Sequence, residues 1–381
     1  MPVYRSIVRP PLFRLDAERA HRLTIACCSL AGGLPFFRAI ANWLKPTKYP
    51  CLRTSVAGMQ LDSPIALGAG FDKNGRALAV LSTLGFGAIE IGAVSSQPCA
   101  GNSGCRAVRL VDECAVLTRY GVPNDGAKKV APRFASHART GRSVPVGINV
   151  IWNSSTKPDS SIQEVVTEIV AAFVEFDGLV DYATINFACP NIRGESHFDD
   201  IANVRLLFEV LDAHKPAVPV FLKFRHRDDP RWMDDLVALI LQFPWVRGFI
   251  PIVHVMRLMN EGSAQGVASM KASISGAPLK GATIEVIRLW YQKIDRHKHV
   301  LVATGGISSA ADVFEAMAAG AAAVQVFTTM VYNGPYAVRR MNAELAALMN
   351  VAGMASTQDL TGSTCALPRL PVITGRNKVI A

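Results

Sequence analysis

Eight short apolar or β-branched runs, each bounded by Gly, Asn or Pro, recur along this chain after Pro50. They are Ile65–Gly70, Ala88–Val94, Val146–Val150, Tyr182–Ala188, Val220–Phe224, Gly248–His254, Val300–Gly305 and Ala323–Thr328. Helix-like segments follow most of them, among them Ser161–Phe176, Met233–Leu241, Thr283–Lys293, Ala310–Ala318 and Tyr336–Leu348. Strands alternating with helices imply a parallel sheet. Eight such units over ~250–300 residues fit a closed (β/α)8 barrel better than an open sheet. Strands buried on both faces explain why the runs are almost continuously hydrophobic. The expected fold is therefore α/β, a TIM barrel with a small N-terminal helical hairpin. Residues 1–50 form the N-terminal segment, 51–350 the barrel and 351–381 an irregular tail.

The N-terminal segment differs in charge. Between Met1 and Pro50 stand eight Lys or Arg against Asp16 and Glu18, in a chain of formal charge +10. Residues 15–45 read as two short helices joined at Gly32-Gly33-Leu34-Pro35, with Asp16 as N-cap of the first. The second, Phe36 to Lys45, has apolar residues at helical spacing and basic edges. That pattern suits a helix on an anionic membrane surface, and equally one packed on its own barrel. The apolar run Leu23–Phe37 is broken by glycines and Pro35 and is shorter than the ~18–20 residues a bilayer span needs. No aromatic-interleaved basic stripe is present, so nucleic acid is not expected as a partner. The eight cysteines include no C-x-x-C pair, which points to reduced thiols in a cytoplasmic setting rather than disulfides or a metal site.

In such a barrel the active site is built at the C-terminal strand ends. Polar residues collect there: Gly68-Ala69-Gly70-Phe71-Asp72-Lys73-Asn74 after the first run, Asn149 on the third, Lys223 on the fifth and Thr328-Thr329 after the eighth. Gly305-Gly306-Ile307-Ser308-Ser309 follows the seventh run and opens a helix, an anion site made of bare backbone amides. Its place is where many barrels hold a phosphate, which makes FMN the natural cofactor. No G-x-G-x-x-G follows an early strand, which argues against a Rossmann NAD site. The fourth run ends in Asn186-Phe187-Ala188-Cys189-Pro190-Asn191. Two amides flanking a thiol suit removal of a proton from carbon beside a planar, carbonyl-rich ring. The alternative for Cys189 is a small buried hydrophobe, as free cysteines often are, but the flanking asparagines favour a catalytic role.

This element resembles the Asn-x-Ser-(Ser/Cys)-Pro-Asn element of dihydroorotate dehydrogenases, in which the fourth position is the base: serine in quinone-linked class 2 enzymes, cysteine in soluble class 1 enzymes. The rest of the chain, from about residue 4 to 348, resembles class 2. The resemblance runs through Ala69–Gly75, Gly85–Gly92, Arg119-Tyr120-Gly121, Gly147-Ile148-Asn149, Ser275-Gly276, Gly305-Gly306, Ala319-Gly320-Ala321 and Gly334-Pro335. It implies FMN contacts from Ala69, Gly70, Asn149, Asn186, Lys223, Gly276, Gly305, Gly306, Phe327 and Thr328. It implies substrate contacts from Lys73 and Asn191, and a quinone tunnel under the N-terminal hairpin lined by His21 and Arg106. Cys189 would take a proton while the neighbouring carbon gives hydride to flavin N5, and a quinone or other acceptor would reoxidise the flavin. A thiol with a reference pKa of ~8.5 needs a nearby cation or dipole to act as thiolate, and Lys73 is a candidate.

The pattern breaks on the substrate side. Thr118 and Val122-Pro123 replace asparagine and Phe-Asn of the family's Asn-Arg-x-Gly-Phe-Asn run. Ile252-Val253-His254 replaces Thr-Asn-Thr, Trp152 replaces a lysine and Ser273 a glycine. Each polar group left unpaired costs ~1–3 kcal/mol of binding. The expectation is an FMN oxidoreductase whose small cyclic substrate has changed from dihydroorotate, with Thr118 and His254 in its pocket. His254 then serves as a second acid/base or fills the space as a structural histidine. A genuine quinone-linked dihydroorotate dehydrogenase and a non-catalytic FMN-binding barrel are the alternatives.

Overall fold

The computed structural model describes residues 3–34, 36–37, 45–139, 144–153, 160–188, 197–260 and 269–368. Cys189 and Asn191 lie outside these residues, as does most of the Phe36–Lys45 segment. After a short π-helical turn, Tyr4–Val8, come α1 (Arg9–Arg14) and α2 (Ala17–Gly33). Asp16 caps α2, its carboxylate accepting from the Glu18 and Arg19 amides at 3.0 Å, as its position before the apolar run predicts. Among the described residues no helix is long and apolar enough to cross a membrane.

The chain then forms a hairpin of β1 (Thr54–Val56) and β2 (Met59–Leu61). The barrel strands follow: β3 (Ile65–Leu67), β4 (Ile89–Val94), β7 (Val146–Val150), β8 (Tyr182–Asn186), β9 (Val220–Arg225), β10 (Val246–Ile252), β13 (Val300–Thr304) and β14 (Ala323–Val326). They close in chain order into one parallel barrel, β14 pairing back onto β3. All eight expected runs carry one of its strands. The run ends, such as Gly68–Gly70 and Phe187-Ala188, are the loops leaving the strands.

Outside the barrel stand α3 (Leu78–Leu81), α4 (Ala127–Arg139), α5 (Ile162–Val174), α6 (Ile201–Ala213), α7 (Pro230–Ile240), α8 (Lys280–Lys293), α9 (Ala310–Ala318), α10 (Thr328–Asn333), α11 (Ala337–Val351) and α12 (Thr357–Leu360). The last is a single turn inside the tail expected to be irregular. Helix α5 shows why these segments are helical. Ser161 and Glu164 form a capping box, and Val165, Val166, Ile169, Val170 and Phe173 repeat at helical spacing and are buried. Fully burying each such side chain favours the fold by roughly 1.5–3 kcal/mol.

Inside the barrel, Tyr182, Phe221, Ile250, Val302 and Ala323 meet Val56 and Leu61 of the β1–β2 hairpin, which closes the N-terminal end. Gly147 makes room for that layer, since a Cβ there would fall 2.3 Å from the Tyr182 ring. A second sheet lies beyond the opposite end. The hairpin β5 (Ala107–Leu110) and β6 (Ala115–Thr118) and the hairpin β11 (Met256–Asn260) and β12 (Ser269–Gly276) join in the antiparallel order β11-β12-β6-β5. Both are insertions, after β4 and after β10, and the eight-fold rhythm of the sequence does not contain them.

The N-terminal segment docks on this end. Arg109 donates to the Leu12 and Leu15 carbonyls, Tyr4 donates its hydroxyl to the Val331 carbonyl at 2.7 Å, and Arg9 reaches the Tyr332 carbonyl at 3.3 Å.

Candidate active site

The loop after β3 is fixed by one buried carboxylate. Asp72 accepts the amides of Asn74, Arg76 and Ala77 at 3.3, 3.0 and 2.6 Å. This turns the chain so that Lys73 faces inward, its ammonium donating to the Gly70 carbonyl at 2.9 Å and lying 4.5 Å from the Tyr120 ring centroid. Burial pushes the Lys73 amine down to about 8. Glu18 and Asp72 oppose the shift and Arg106 adds to it. Glu18 also forms a two-armed ion pair with Arg106, whose Nε donates at 2.8 Å. On the same face of α2, His21 packs edge-on against Phe71 at 5.5 Å, and Phe71 against Phe327 at 5.7 Å. Burial, with the charge of Lys73, lowers His21 to about 3, so this imidazole is neutral. An aromatic path thus runs from α2 into the loop that follows β14.

The centre of the strand ends is a polar cluster in an otherwise apolar barrel. Glu90 on β4 is fully buried and accepts from Asn149 Nδ2, Thr184 Oγ1 and Gln325 Nε2, each at 2.8 Å. Lys223 Nζ stands 4.0 Å from its Oε1 and donates to Gln325 Oε1 at 3.1 Å. Burial lowers the Lys223 amine while the Glu90 charge raises it. Asn149 Oδ1 accepts from Asn186 Nδ2 at 2.9 Å, and Asn186 Oδ1 accepts the Ala188 amide at 2.8 Å. Three of the expected residues, Asn149, Asn186 and Lys223, are therefore one hydrogen-bonded set. Glu90 and Gln325, which join them, escaped the sequence reading. A glutamate inside the buried run Ile89–Val94 was the available signal, because a charge in such a strand needs partners.

Beside this cluster a cavity of about 370 Å3 is lined by Ser275, Gly276, Gly305, Gly306, Phe327 and Thr328 among others. Thr328 donates to Ser275 Oγ at 3.0 Å, and Ser275 to the Val116 carbonyl at 3.1 Å. Gly305 and Gly306 have φ of +109° and +76°, and a Cβ on Gly306 would fall 2.2 Å from the Lys280 nitrogen. The expected row of bare amides is shorter than Gly305–Ser309, because the Ser308 and Ser309 amides both donate to the Asp312 carboxylate of the α9 capping box at 2.9 Å. The side-chain-free turn at Gly305-Gly306 and the Thr328 and Ser275 hydroxyls are what suit a phosphorylated, polar planar cofactor. Gly70, which follows Ala69, lies against Phe327 of that lining, a Cβ there falling 3.5 Å from its ring, and its amide donates to the Gly92 carbonyl. The donor set fits FMN.

The residues that break the family pattern sit elsewhere. Thr118 ends β6 and pairs with Ser273 and Ala107 in the outer sheet, not in the Glu90 cluster. Val253 and His254 leave β10 half-buried. His254 Nε2 is buried without a hydrogen-bond partner, and burial together with Arg225 lowers its basicity. Trp152 is 5% exposed, packs edge-on against His197 at 5.3 Å, and its indole Nε1 is also buried without a partner.

The family model described as "Dihydroorotate dehydrogenase" matches residues 51–349. Similar curated proteins are the "Dihydroorotate dehydrogenase (quinone)" of Thermobifida fusca, 32% identical over 94% of this chain and 96% of the relative, and that of Novosphingobium aromaticivorans, 32% identical over 94% and 99%. Among solved structures, DHODH from Eimeria tenella in complex with ferulenol superposes with a TM-score of 0.76 at 25% identity, covering 91% of this chain and 95% of that one. With this barrel, this polar cluster and these relatives, the chain belongs to the dihydroorotate dehydrogenase family, FMN-dependent oxidoreductases that act on CH–CH groups.

Proposed function

We propose that this chain oxidises dihydroorotate itself and passes the electrons to a quinone. The observation that carries the reading is the aromatic path from His21 through Phe71 to Phe327. It links the N-terminal segment to the cofactor cavity, and the similarity to quinone-named relatives extends over that segment as well as the barrel. FMN, when bound, would supply the acceptor for a hydride leaving the substrate ring. Asn149, Asn186, Lys223, Gly276, Gly305, Gly306, Phe327 and Thr328, with Ala69 and Gly70, would hold it. Lys73 supplies the cation for an anionic ring, Asn186 and Asn191 orient the ring carbonyls, and Cys189 takes the proton. His21 and Arg106 line the quinone path. Exposed Ile7 (66%) and Leu30 (74%), beside Arg5, Arg14, Arg19 and Arg22, dock this end on the anionic cytoplasmic face of a membrane. The test is steady-state turnover with dihydroorotate against a short-chain quinone, oxygen and fumarate. Preference for quinone is expected, and turnover only with another acceptor would refute the quinone assignment.

A second reading has its own observations. Val253 and Thr118 stand where the family resemblance expects asparagine, and His254 Nε2 and Trp152 Nε1 are unpartnered. A pocket that has lost amides and gained an imidazole and an indole would suit a different saturated ring. Turnover of such a ring with none of dihydroorotate would establish it.

A further inference from the structure

The carboxylate of Glu90 contacts four other barrel strands at once: Asn149 on β7, Thr184 on β8, Lys223 on β9 and Gln325 on β14. A carboxylate only accepts hydrogen bonds, whereas an amide side chain offers a donor at one end and an acceptor at the other. Glu90 therefore dictates which way its amide neighbours point. Asn149 must give its NH2 to Glu90 and so turns Oδ1 to Asn186, whose NH2 it accepts at 2.9 Å. Asn186 must then present Oδ1 to the Ala188 amide at 2.8 Å, at the start of the segment leading into Cys189. Along the other arm Gln325 gives its NH2 to Glu90 and turns Oε1 to the Lys223 ammonium at 3.1 Å. One buried acceptor orders two relays that end on an amide and a cation at the mouth of the barrel.

We propose that Glu90 is a positioning residue for the cofactor, setting the polarity of the Asn149–Asn186 and Gln325–Lys223 relays so that their far ends face the flavin in one arrangement. This rests on the reading that Asn149, Asn186 and Lys223 contact FMN. A purely structural Glu90 would only tie strands together, and buried ionic groups are often replaceable for that purpose. Replacing it with glutamine puts a second donor against Asn149, Thr184 and Gln325, so that one amide must turn round and its relay reverses.

The experiment measures FMN affinity by fluorescence quenching and the visible circular dichroism of bound FMN, with melting of the apoprotein alongside. Glu90→Gln is expected to weaken FMN binding at least tenfold and alter the flavin dichroism. The exchange Glu90→Gln/Gln325→Glu keeps a single carboxylate in the cluster, moved to position 325 where Lys223 already donates, with the amide at position 90 facing it. It is expected to restore affinity to within threefold of the parent. A Glu90→Gln protein that binds FMN within twofold, with unchanged dichroism and only a lower apoprotein melting temperature, would overturn the proposal. So would an exchanged protein that folds without regaining affinity, or failure of both variants to fold, which would make Glu90 structural. Lys223→Met separates the two layers of the argument. If it leaves FMN affinity unchanged, the cofactor contact on which the proposal rests is wrong. If it weakens affinity while Glu90→Gln does not, the contact stands and the positioning role falls.

Discussion

The two sides of the barrel mouth are built to different standards. On one side, Asn149, Asn186, Lys223 and Gln325 are joined through Glu90, and Thr328 and Ser275 form a second hydrogen-bonded pair beside the glycine-lined cavity. On the other side, where β7 and β10 end, Trp152 and His254 each bury a polar nitrogen without a partner. A buried unpaired donor or acceptor costs ~1–3 kcal/mol unless something else completes it. One side is thus completed by the chain's own side chains, whereas the other holds an indole and an imidazole nitrogen that the protein itself leaves unpaired.

The contrast breaks most severely at Gly306. Alanine there places Cβ against the Lys280 backbone at φ +76°, a region costing ~1–3 kcal/mol for other residues. Gly306→Ala should lose bound FMN by about 10–100-fold in affinity, read as flavin content after gel filtration. Full flavin content would move the phosphate away from this turn.

Restoring the family amides sharpens the other side. Val253→Asn is expected to lower the KM for dihydroorotate about tenfold if that is the substrate, the worth of one hydrogen bond to a polar ring at ~1.4 kcal/mol. Thr118→Asn should add a smaller gain. No change, or a rise in KM, would favour a different ring.

A smaller effect follows from Lys73. Its amine, pushed down to about 8, is charged below that pH and neutral above it. Affinity for an anionic ring should be highest below pH 8 and fall as pH rises through it, with Lys73→Met abolishing the dependence. A flat profile would remove Lys73 from the substrate.

A last test concerns stability rather than binding and falls on His21. Its folded value of about 3 lies below the ordinary 6.5, so the unfolded chain binds the extra proton between those limits. Its contribution to stability is fully present above pH 6.5 and is lost as pH falls toward 3. His21→Gln should flatten that part of the melting profile, which an exposed histidine would not.

Much of the barrel could be read in advance because a parallel strand buried on both faces leaves a continuous apolar run, as at Val146–Val150. The glycine turn at Gly305-Gly306 and the asparagines at strand ends were legible for the same reason: barrels put chemistry there. The outer sheet was not legible. Its four strands come from hairpins about 140 residues apart, and their partial burial gives no long-range signal. Glu90 lies inside the Gly85–Gly92 motif, but a single charge in a strand does not reveal that donors from four other strands converge on it. The orphaned nitrogens of Trp152 and His254 exist only once side chains are packed.

The most direct measurement is anaerobic mixing of the yellow holoenzyme with dihydroorotate, following the oxidised-flavin band. The account predicts rapid bleaching by dihydroorotate. In Cys189→Ala it predicts slowing by about 10^3-fold with FMN still bound, the usual weight of a positioned base. Bound FMN that dihydroorotate does not bleach would contradict dihydroorotate as the substrate, and equal bleaching in Cys189→Ala would contradict the thiol as the base.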